Sequence, residues 1–135
     1  MKTISKYQKR KIWAYINKNK LNNKEKEALI EKFTAGRTHN ISQMNYDEAL
    51  SLIQHVDIQS YKAMKADRMR KKILHYCHLM QWYRQGTTQL DFNRIDEFCI
   101  KRGWKHKPLN RYTYEELPML VTQFEEVYEH FLNKL

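Results

Sequence analysis

The sequence predicts an all-α protein, a compact bundle of about five to six helices. The chain of 135 residues has only three glycines and two prolines, too few for the turns of a many-stranded β protein. Apolar residues recur every three to four positions, the spacing of a helix face. With 41% hydrophobic residues, the chain has enough apolar side chains to form a core. Its length suits a single domain over residues 1–135.

Three helices are predicted in the first half. The first, over residues 5–19, is amphipathic, and its apolar side holds Tyr7, Ile12, Trp13 and Ile16. The second is capped by Asn22 or Asn23 and ended by Gly36. Its expected buried residues are Ala28, Leu29 and Phe33.

Asn45 begins the third helix, because Glu48 three residues later completes a capping box. The apolar stripe of this helix comprises Ala49, Leu50, Leu52, Ile53 and Val56. The pattern leaves two alternatives open beyond that point. The helix either continues through Tyr61 and Met64 or breaks near Asp57.

The second half repeats this plan. A fourth helix is predicted over residues 69–83, ended by Gly86, and a fifth runs from the cap Asp91 to Gly103. Thr113 and Glu116 form a further capping box before the last helix. The stripe of this last helix comprises Leu117, Leu120, Val121, Phe124, Val127, Tyr128, Phe131 and Leu135.

Two short matches suggest an internal repeat. Residues 9–12 (KRKI) resemble residues 70–73 (RKKI), and 14 residues separate both Gly36 from Leu50 and Gly103 from Leu117. Each three-helix unit would leave an apolar face for the other to cover. The pattern therefore suggests two similar halves, 1–60 and 61–135, that share one core.

Charge is distributed unevenly along the chain. The formal net charge is +10, but residues 1–111 hold 24 basic and 10 acidic side chains, whereas residues 112–135 carry a balance of −4. A basic body attracts polyanions over roughly 10 Å at 0.1 M salt. The expected partner is nucleic acid or an acidic protein.

Other classes of function lack a signal in the sequence. Cys77 and Cys99 fall in apolar helical stretches and are expected to be buried, reduced thiols. His75 and His78 share a helix face but lack a second ligand pair, so no metal site is expected. We find no catalytic motif and no cofactor loop, and we expect a non-enzymatic protein. No apolar run reaches the length of a membrane helix, which predicts a cytoplasmic protein.

Basic residues in three segments are the candidate nucleic-acid contacts, expected to bind DNA largely through its phosphates. They are Lys6, Lys9, Arg10, Lys11, Arg68, Arg70, Lys71, Lys72, Lys101, Arg102, Lys105 and Lys107. A sharper alternative is a helix-turn-helix whose reader helix is either residues 69–84 or the helix after Asp91, where Asn93 and Arg94 would meet base edges. A third alternative is stacking of single-strand bases on aromatic rings beside basic residues. Those aromatic residues are Trp82, Tyr83, Trp104 and Tyr112.

The order of these features resembles the GemA family of small proteins from Mu-like phages and prophages. The matching positions are Ile12 and Trp13, residues 33–38 (FTAGRT), Met44, Glu48, Ala49 and Leu50, then Met69, Arg70, Ile73, Ile95, Phe98, Gly103, Leu109, Glu116 and Leu117. The first half here is richer in lysine than that family, and the acidic tail departs from it. The resemblance brings no active-site residues.

What the resemblance implies is a phage-derived or mobile-element accessory protein that modulates gene expression or DNA topology. Together with the charge, it predicts a regulatory protein that binds DNA. The alternative is a protein-interaction module whose basic face docks an acidic partner. In that case the glutamate-rich last helix either shields the basic face or mediates dimerisation.

Overall fold

The structure is a computed structural model that describes residues 2–135. Within that range the protein is all-α and forms five α-helices and two short 3-10 helices, with isolated bridges but no strand. The α-helices are α1 (Lys6–Lys18), α2 (Asn23–Phe33), α3 (Tyr46–Leu79), α4 (Phe92–Lys101) and α5 (Leu117–Asn133). The 3-10 helices are Ile41–Gln43 and Leu109–Arg111. The predicted fold class is confirmed.

Side-chain caps begin α2, α3 and α4 where the sequence predicts them, but the predicted capping box of Thr113 and Glu116 is wrong, because α5 begins at Leu117 without a side-chain cap. Asn22, the first of the two candidates, caps α2 and accepts a hydrogen bond from the backbone N–H of Glu25. Asn45 and Glu48 exchange two hydrogen bonds at the start of α3, with N···O distances of 2.8 and 2.9 Å. Asp91 caps α4. These reciprocal contacts satisfy N–H groups that have no partner within the helix.

Helix α3 runs without a break for 34 residues, which resolves the boundary that the sequence left open. The apolar stripe is nevertheless interrupted, because no residue between Val56 and Ala66 is buried, and the Ile58 and Tyr61 side chains are 54% and 51% exposed. Residues 46–79 contain neither glycine nor proline. Backbone propensity therefore maintains the helix where core packing is missing.

Three helices are followed by a residue other than glycine in the left-handed conformation, and after α2 the predicted Gly36 also has a positive φ, 79°. Lys20, Ala35 and Gln81 have φ values of 53°, 54° and 58°. After Gln81, the backbone N–H of Trp82 donates to the carbonyl of Cys77 at 3.0 Å and closes the last turn of α3. The predicted end at Tyr83 and Gly86 is thus wrong by about one turn, because a non-glycine residue occupies the C-cap position that usually selects glycine.

The chain divides into two compact units, Met1–Tyr61 (unit 1) and Lys62–Leu135 (unit 2). The division falls beside the predicted boundary between residues 60 and 61. Each unit has its own hydrophobic cluster, where the sequence predicted one shared core. The interruption in the apolar stripe of α3 lies at this division.

Unit 1 packs α1, α2 and the first turns of α3 around a small core. Its buried apolar residues are Ile4, Ile12, Ile16, Ile30, Ile41, Met44, Ala49, Leu52, Ile53 and Val56. The sequence analysis did not predict that Ile30 is buried. It predicted that Ala28 and Leu50 are buried, but both are exposed. Gln8 is buried as well, and its Nε2 donates to the Tyr46 carbonyl at 3.1 Å, so the start of α1 is bound to the start of α3.

Unit 2 packs the rest of α3 with α4 and α5. Its buried side chains include Ile73, Cys77, Ile95, Cys99, Leu109, Tyr112, Leu117, Leu120 and Phe124. The Phe124 ring lies 4.9 Å from the ring of Phe98 and 5.9 Å from that of Trp82. The predicted stripe of α5 is correct through Phe131, which is partly buried, but Leu135 is exposed.

Candidate nucleic-acid interface

Helix α1 carries the part of the predicted basic set that lies in unit 1. Ser5 caps this helix, and Gln8, Ile12 and Ile16 face the core at intervals of one turn. Lys6 and Arg10 lie one turn apart on the outward side and are exposed, while Lys9 is half-buried at its edge. Lys6, Lys9 and Arg10 form the α1 basic row. Within residues 2–135 none of the three makes an ion pair with a carboxylate.

Lys11, the fourth predicted contact on α1, differs from this row. Its Nζ lies 3.2 Å from Asp57 Oδ2 on α3. The hydrogen bond to Asp57 raises the pKa of the Lys11 ammonium. The charge of Lys11 is thus already balanced within unit 1, and this residue is a weaker candidate for phosphate contact.

Helix α3 carries four predicted contacts in unit 2, and two of them are bound internally. Arg70 Nη1 lies 3.2 Å from Asp67 Oδ1, and Arg70 Nη2 donates to the Tyr112 carbonyl at 2.8 Å. Lys72 Nζ lies 3.2 Å from Glu125 Oε1 on α5. Their neighbours Arg68 and Lys71 are exposed and, among the described residues, unpaired with acid.

The four predicted contacts between residues 101 and 107 also divide into two that form ion pairs and two that do not. Lys101 pairs with Glu97 one turn earlier, and Lys107 pairs with Glu116. The ammonium of Lys107 and the Thr113 N–H lower the pKa of Glu116 to about 2. Lys105 Nζ lies over the Trp104 ring, 4.7 Å from its centroid, and Arg102 is exposed.

Acidic residues near and on α5 neutralise part of the basic surface of unit 2. Besides the Lys72 and Lys107 pairs, Lys62 Nζ lies 3.1 Å from Glu115 Oε1. Surface pairs of this kind add little stability, but each one reduces the positive charge available to a polyanion. Three acidic residues near and on α5 therefore balance three of the lysines of unit 2.

The aromatic rings predicted to stack on bases are mostly enclosed. Trp82 and Tyr112 are buried, and Tyr83 is half-buried. Trp104 is also half-buried, and its Nε1 donates to the Glu116 carbonyl at 3.0 Å. These four rings therefore have structural roles in unit 2, in core packing or in hydrogen bonding.

Two exposed aromatic rings lie on α1 instead, where the sequence interpretation had placed them on the apolar side. Tyr7 is 68% exposed and Trp13 is 39% exposed. Trp13 follows Lys9 and Arg10 by four and three residues, which places its ring next to the α1 basic row. The helical spacing from the buried Ile12 and Ile16 was the signal that could have shown Trp13 to point outward.

The helix-turn-helix alternative does not match the structure. Residues 80–91 separate α3 from α4 and include a bridge between Tyr83 and Leu90, whereas the DNA-binding motif uses a turn of three to four residues. The Arg94 guanidinium lies 4.6 Å from the Trp82 ring centroid and is therefore held against its own unit. Asn93 is exposed but has no reader arginine beside it.

The cysteines are buried within unit 2, and the histidines once weighed as metal ligands are exposed. Burial raises the pKa of both the Cys77 and Cys99 thiols to about 12, so each thiol is protonated and unreactive at neutral pH. His75, His78 and His106 lie at the surface. In residues 2–135, no three histidine, cysteine or carboxylate side chains converge as a metal site would require.

Residues 33–38, one of the segments from which the sequence analysis drew its resemblance, make structural contacts. Thr34 Oγ1 lies 2.9 Å from the carbonyls of both Ile30 and Thr38, and it ties the end of α2 to the following loop. Arg37 pairs with Glu48 and donates to the Gln43 carbonyl at 2.9 Å. The Arg37 guanidinium lowers the pKa of Glu48. These residues close a loop and carry no reactive group.

Comparisons with known proteins identify no relative of this chain. No family model matches it, and no curated protein or solved structure is significantly similar. In the described part of the chain, no helix combines the length and the apolar character that crossing a membrane requires.

Proposed function

We propose that this protein binds DNA through its phosphates, with the α1 basic row as the principal contact. The observation that supports this proposal is the row itself. Lys6, Lys9 and Arg10 project from one stretch of helix and have no carboxylate partner in residues 2–135. Elsewhere several lysines and arginines are paired within their own unit.

Unpaired cations gain more from a phosphate than paired ones do. A phosphate that meets Lys6 or Arg10 releases a condensed counterion into bulk solvent, and this release drives binding. Lys72 or Lys107 would first have to leave a carboxylate, which offsets part of that gain. The pairing pattern therefore ranks the predicted contacts.

In unit 2 the same criterion selects four of the eight predicted contacts, which lie in two separate segments. Arg68 and Lys71 on α3, and Arg102 and Lys105 after α4, are exposed and form no ion pair among the described residues. They serve as secondary phosphate contacts. Arg70 has a structural role, because it is bound to Asp67 and to the Tyr112 carbonyl.

The biological role that agrees with such binding is an accessory or regulatory one, in keeping with the resemblance to the GemA family. Phosphate contacts by lysine and arginine do not read base sequence. The protein would act on DNA broadly, or it would be directed by a partner to particular sites. We identify no catalytic residues for either mode.

Two charge-matched variants test the proposal. The first replaces Lys6, Lys9 and Arg10 with Gln, and the second replaces the paired residues Lys62, Lys72 and Lys101 with Gln. Both lose three positive charges, so a general effect of net charge would weaken them equally. Fluorescence anisotropy of a labelled duplex at 50 mM salt should show a loss of about 10- to 100-fold for the first variant and only a few-fold for the second.

Two results would contradict the proposal. Equal losses in the two variants would show that the row is not a site, and no binding by the wild-type protein at low salt would reject DNA as the partner. The second result favours the alternative of docking to an acidic protein. Recovery of one acidic partner that resists nuclease treatment would support that alternative.

A further inference from the structure

An open recess lies beside the α1 basic row in unit 1. Trp13 on α1 and Lys26 and Glu27 on α2 line one side of it, and His39, Asn40 and Ser42 line another. Its volume is about 330 Å³. That volume lies at the small end of ligand-binding clefts, so the recess suits a group no larger than one flat ring system.

Trp13 connects this recess to the row. The ring is 39% exposed although it belongs to the largest apolar side-chain type, and it follows Lys9 and Arg10 on the same side of α1. Residues 6 and 13 lie about 10 Å apart along the helix axis, at 1.5 Å per residue. The cations of the α1 basic row, which can bind phosphates, therefore lie on the same side of α1 as the exposed Trp13 ring.

We propose that this recess takes one base of single-stranded DNA, which stacks on Trp13 while the α1 basic row binds the adjoining phosphates. The inference rests on the proposed DNA binding and adds a preference for single strands. Aromatic faces beside a basic groove are the features by which proteins hold single strands, because every base presents a face that can stack.

The side chain of Lys26 lies over the Trp13 ring. Its Nζ lies 5.0 Å from the Trp13 ring centroid. An exposed contact between lysine and an aromatic ring is weak in comparison with base stacking. The ammonium can therefore move aside to a phosphate when a base arrives, and its charge then adds to that of the row.

The polar groups of the recess suit a base better than a phosphate. Among the described residues, Ser42 Oγ and Asn40 Nδ2 make no hydrogen bond, although Asn40 Oδ1 accepts one from the Ser42 N–H at 3.0 Å. Both free groups can meet the polar edge of a base. Glu27 adds a carboxylate that repels a phosphate, which directs the charged backbone outward to the row.

A duplex cannot use this recess in the same way. Its bases are stacked within the helix, so only its phosphates are available to Lys6, Lys9 and Arg10. The row would bind both forms of DNA, and Trp13 would add affinity for single strands alone. This difference separates the inference from the proposed function on which it rests.

The experiment compares a labelled thymidine oligonucleotide with a duplex of equal length, by anisotropy at several salt concentrations. Trp13→Ala should weaken single-strand binding by roughly 5- to 100-fold and leave duplex binding unchanged. Trp13→Phe, which keeps a ring, should remain within a few-fold of wild type. Tyr7→Ala removes an exposed aromatic ring outside the recess and serves as the matched control.

Each outcome decides the matter. Single-strand affinity that is unchanged in Trp13→Ala, or that falls equally in Tyr7→Ala, would overturn the inference and leave DNA binding intact. Absence of wild-type binding to either DNA would overturn both. If Trp13→Ala does not fold, tryptophan emission decides. Quenching by the oligonucleotide in wild type that is lost in Trp13→Phe supports stacking at Trp13, and equal quenching in both proteins rejects it.

Discussion

The hydroxyl of Tyr112 donates a hydrogen bond to the backbone carbonyl of Cys99 at 3.3 Å, across the position of Gly103. The same hydroxyl oxygen accepts from the Lys105 N–H at 3.2 Å. A Cβ added to Gly103 would lie 2.3 Å from both the Cys99 carbonyl oxygen and the Tyr112 hydroxyl. The glycine is needed here for space, because it lets a buried tyrosine close the end of α4.

Gly103→Ala should therefore destabilise unit 2. The new methyl group must displace either the α4 backbone or the fully buried Tyr112 ring, and overpacking of this kind costs about 1–3 kcal/mol. Urea unfolding followed by circular dichroism measures the change. Gly86→Ala serves as a comparison for backbone strain alone, because nothing lies within 4 Å of a Cβ at that position but its φ of 75° is unfavourable for alanine by about 1 kcal/mol. A loss in Gly103→Ala no larger than that in Gly86→Ala would contradict the steric clash.

Gln81→Gly should stabilise the protein. Gln81 has a φ of 58°, a conformation that costs a residue with a side chain about 1 kcal/mol and costs glycine nothing. Glycine would keep the hydrogen bond from Trp82 N to Cys77 O that closes α3. An increase of about 0.5–1 kcal/mol in the free energy of unfolding is expected. A decrease in the free energy of unfolding would show that the Gln81 side chain stabilises the protein by more than its backbone strain costs.

Local signals in the sequence account for most of the fold. Asn22, Asn45 and Asp91 begin helices because short polar side chains satisfy free N–H groups, and this depends on neighbours only three residues away. Helix ends were harder to predict. Lys20 and Gln81 adopt left-handed conformations, although lysine and glutamine are not residue types that favour them.

The sequence could predict that the candidate site is basic, but it could not predict which of its lysines and arginines are free of ion pairs. Composition showed that the chain is basic, and α1 stood out as a basic helix. Which cations are free depends on contacts between residues distant in sequence, such as Lys11 with Asp57 and Lys72 with Glu125. Trp13 was assigned to the apolar side because of its residue type, although its position one residue after Ile12 turns it away from the face that Ile12 and Ile16 share.

Cys77 and Cys99 should resist thiol reagents in the folded protein. Burial raises the pKa of each thiol to about 12, so almost no thiolate exists at pH 8 and neither sulfur is accessible. Titration with a chromogenic disulfide reagent should release less than one equivalent in native buffer and two in denaturant. Rapid release of one equivalent from native protein would show that unit 2 opens around α4 or α3.

The salt dependence of duplex binding should show how many phosphates the α1 basic row contacts. Each contact contributes about 0.9 to the slope of log K against log salt concentration. Replacing Lys6, Lys9 and Arg10 with Gln should therefore flatten that slope by up to about 2.7. Anisotropy titrations between 50 and 200 mM salt provide the measurement. An unchanged slope with weaker binding would mean that the substitutions act through the structure of α1.

Acid should weaken unit 2 through Glu116. The Lys107 ammonium and the Thr113 N–H lower the pKa of this carboxylate to about 2 in the folded state, below its ordinary value of 4.5. The folded state thus favours the charged form, and the resulting stability is present above about pH 5 and is lost as pH falls towards 2. Glu116→Gln should remove this part of the pH dependence.

Thermal unfolding at pH 7, 4 and 2.5 tests the expectation. The difference in Tm between wild type and Glu116→Gln should be largest at pH 7 and shrink at pH 2.5, because the carboxyl group of the unfolded chain is then protonated and most of the advantage of the lowered folded-state pKa is lost. Glu126→Gln is the control, since Glu126 is an exposed carboxylate with no ion pair in residues 2–135. A Tm difference that stays constant across this pH range would mean that Glu116 acts through the hydrogen bond it accepts from Thr113, which a glutamine oxygen can replace only in part, and not through its charge.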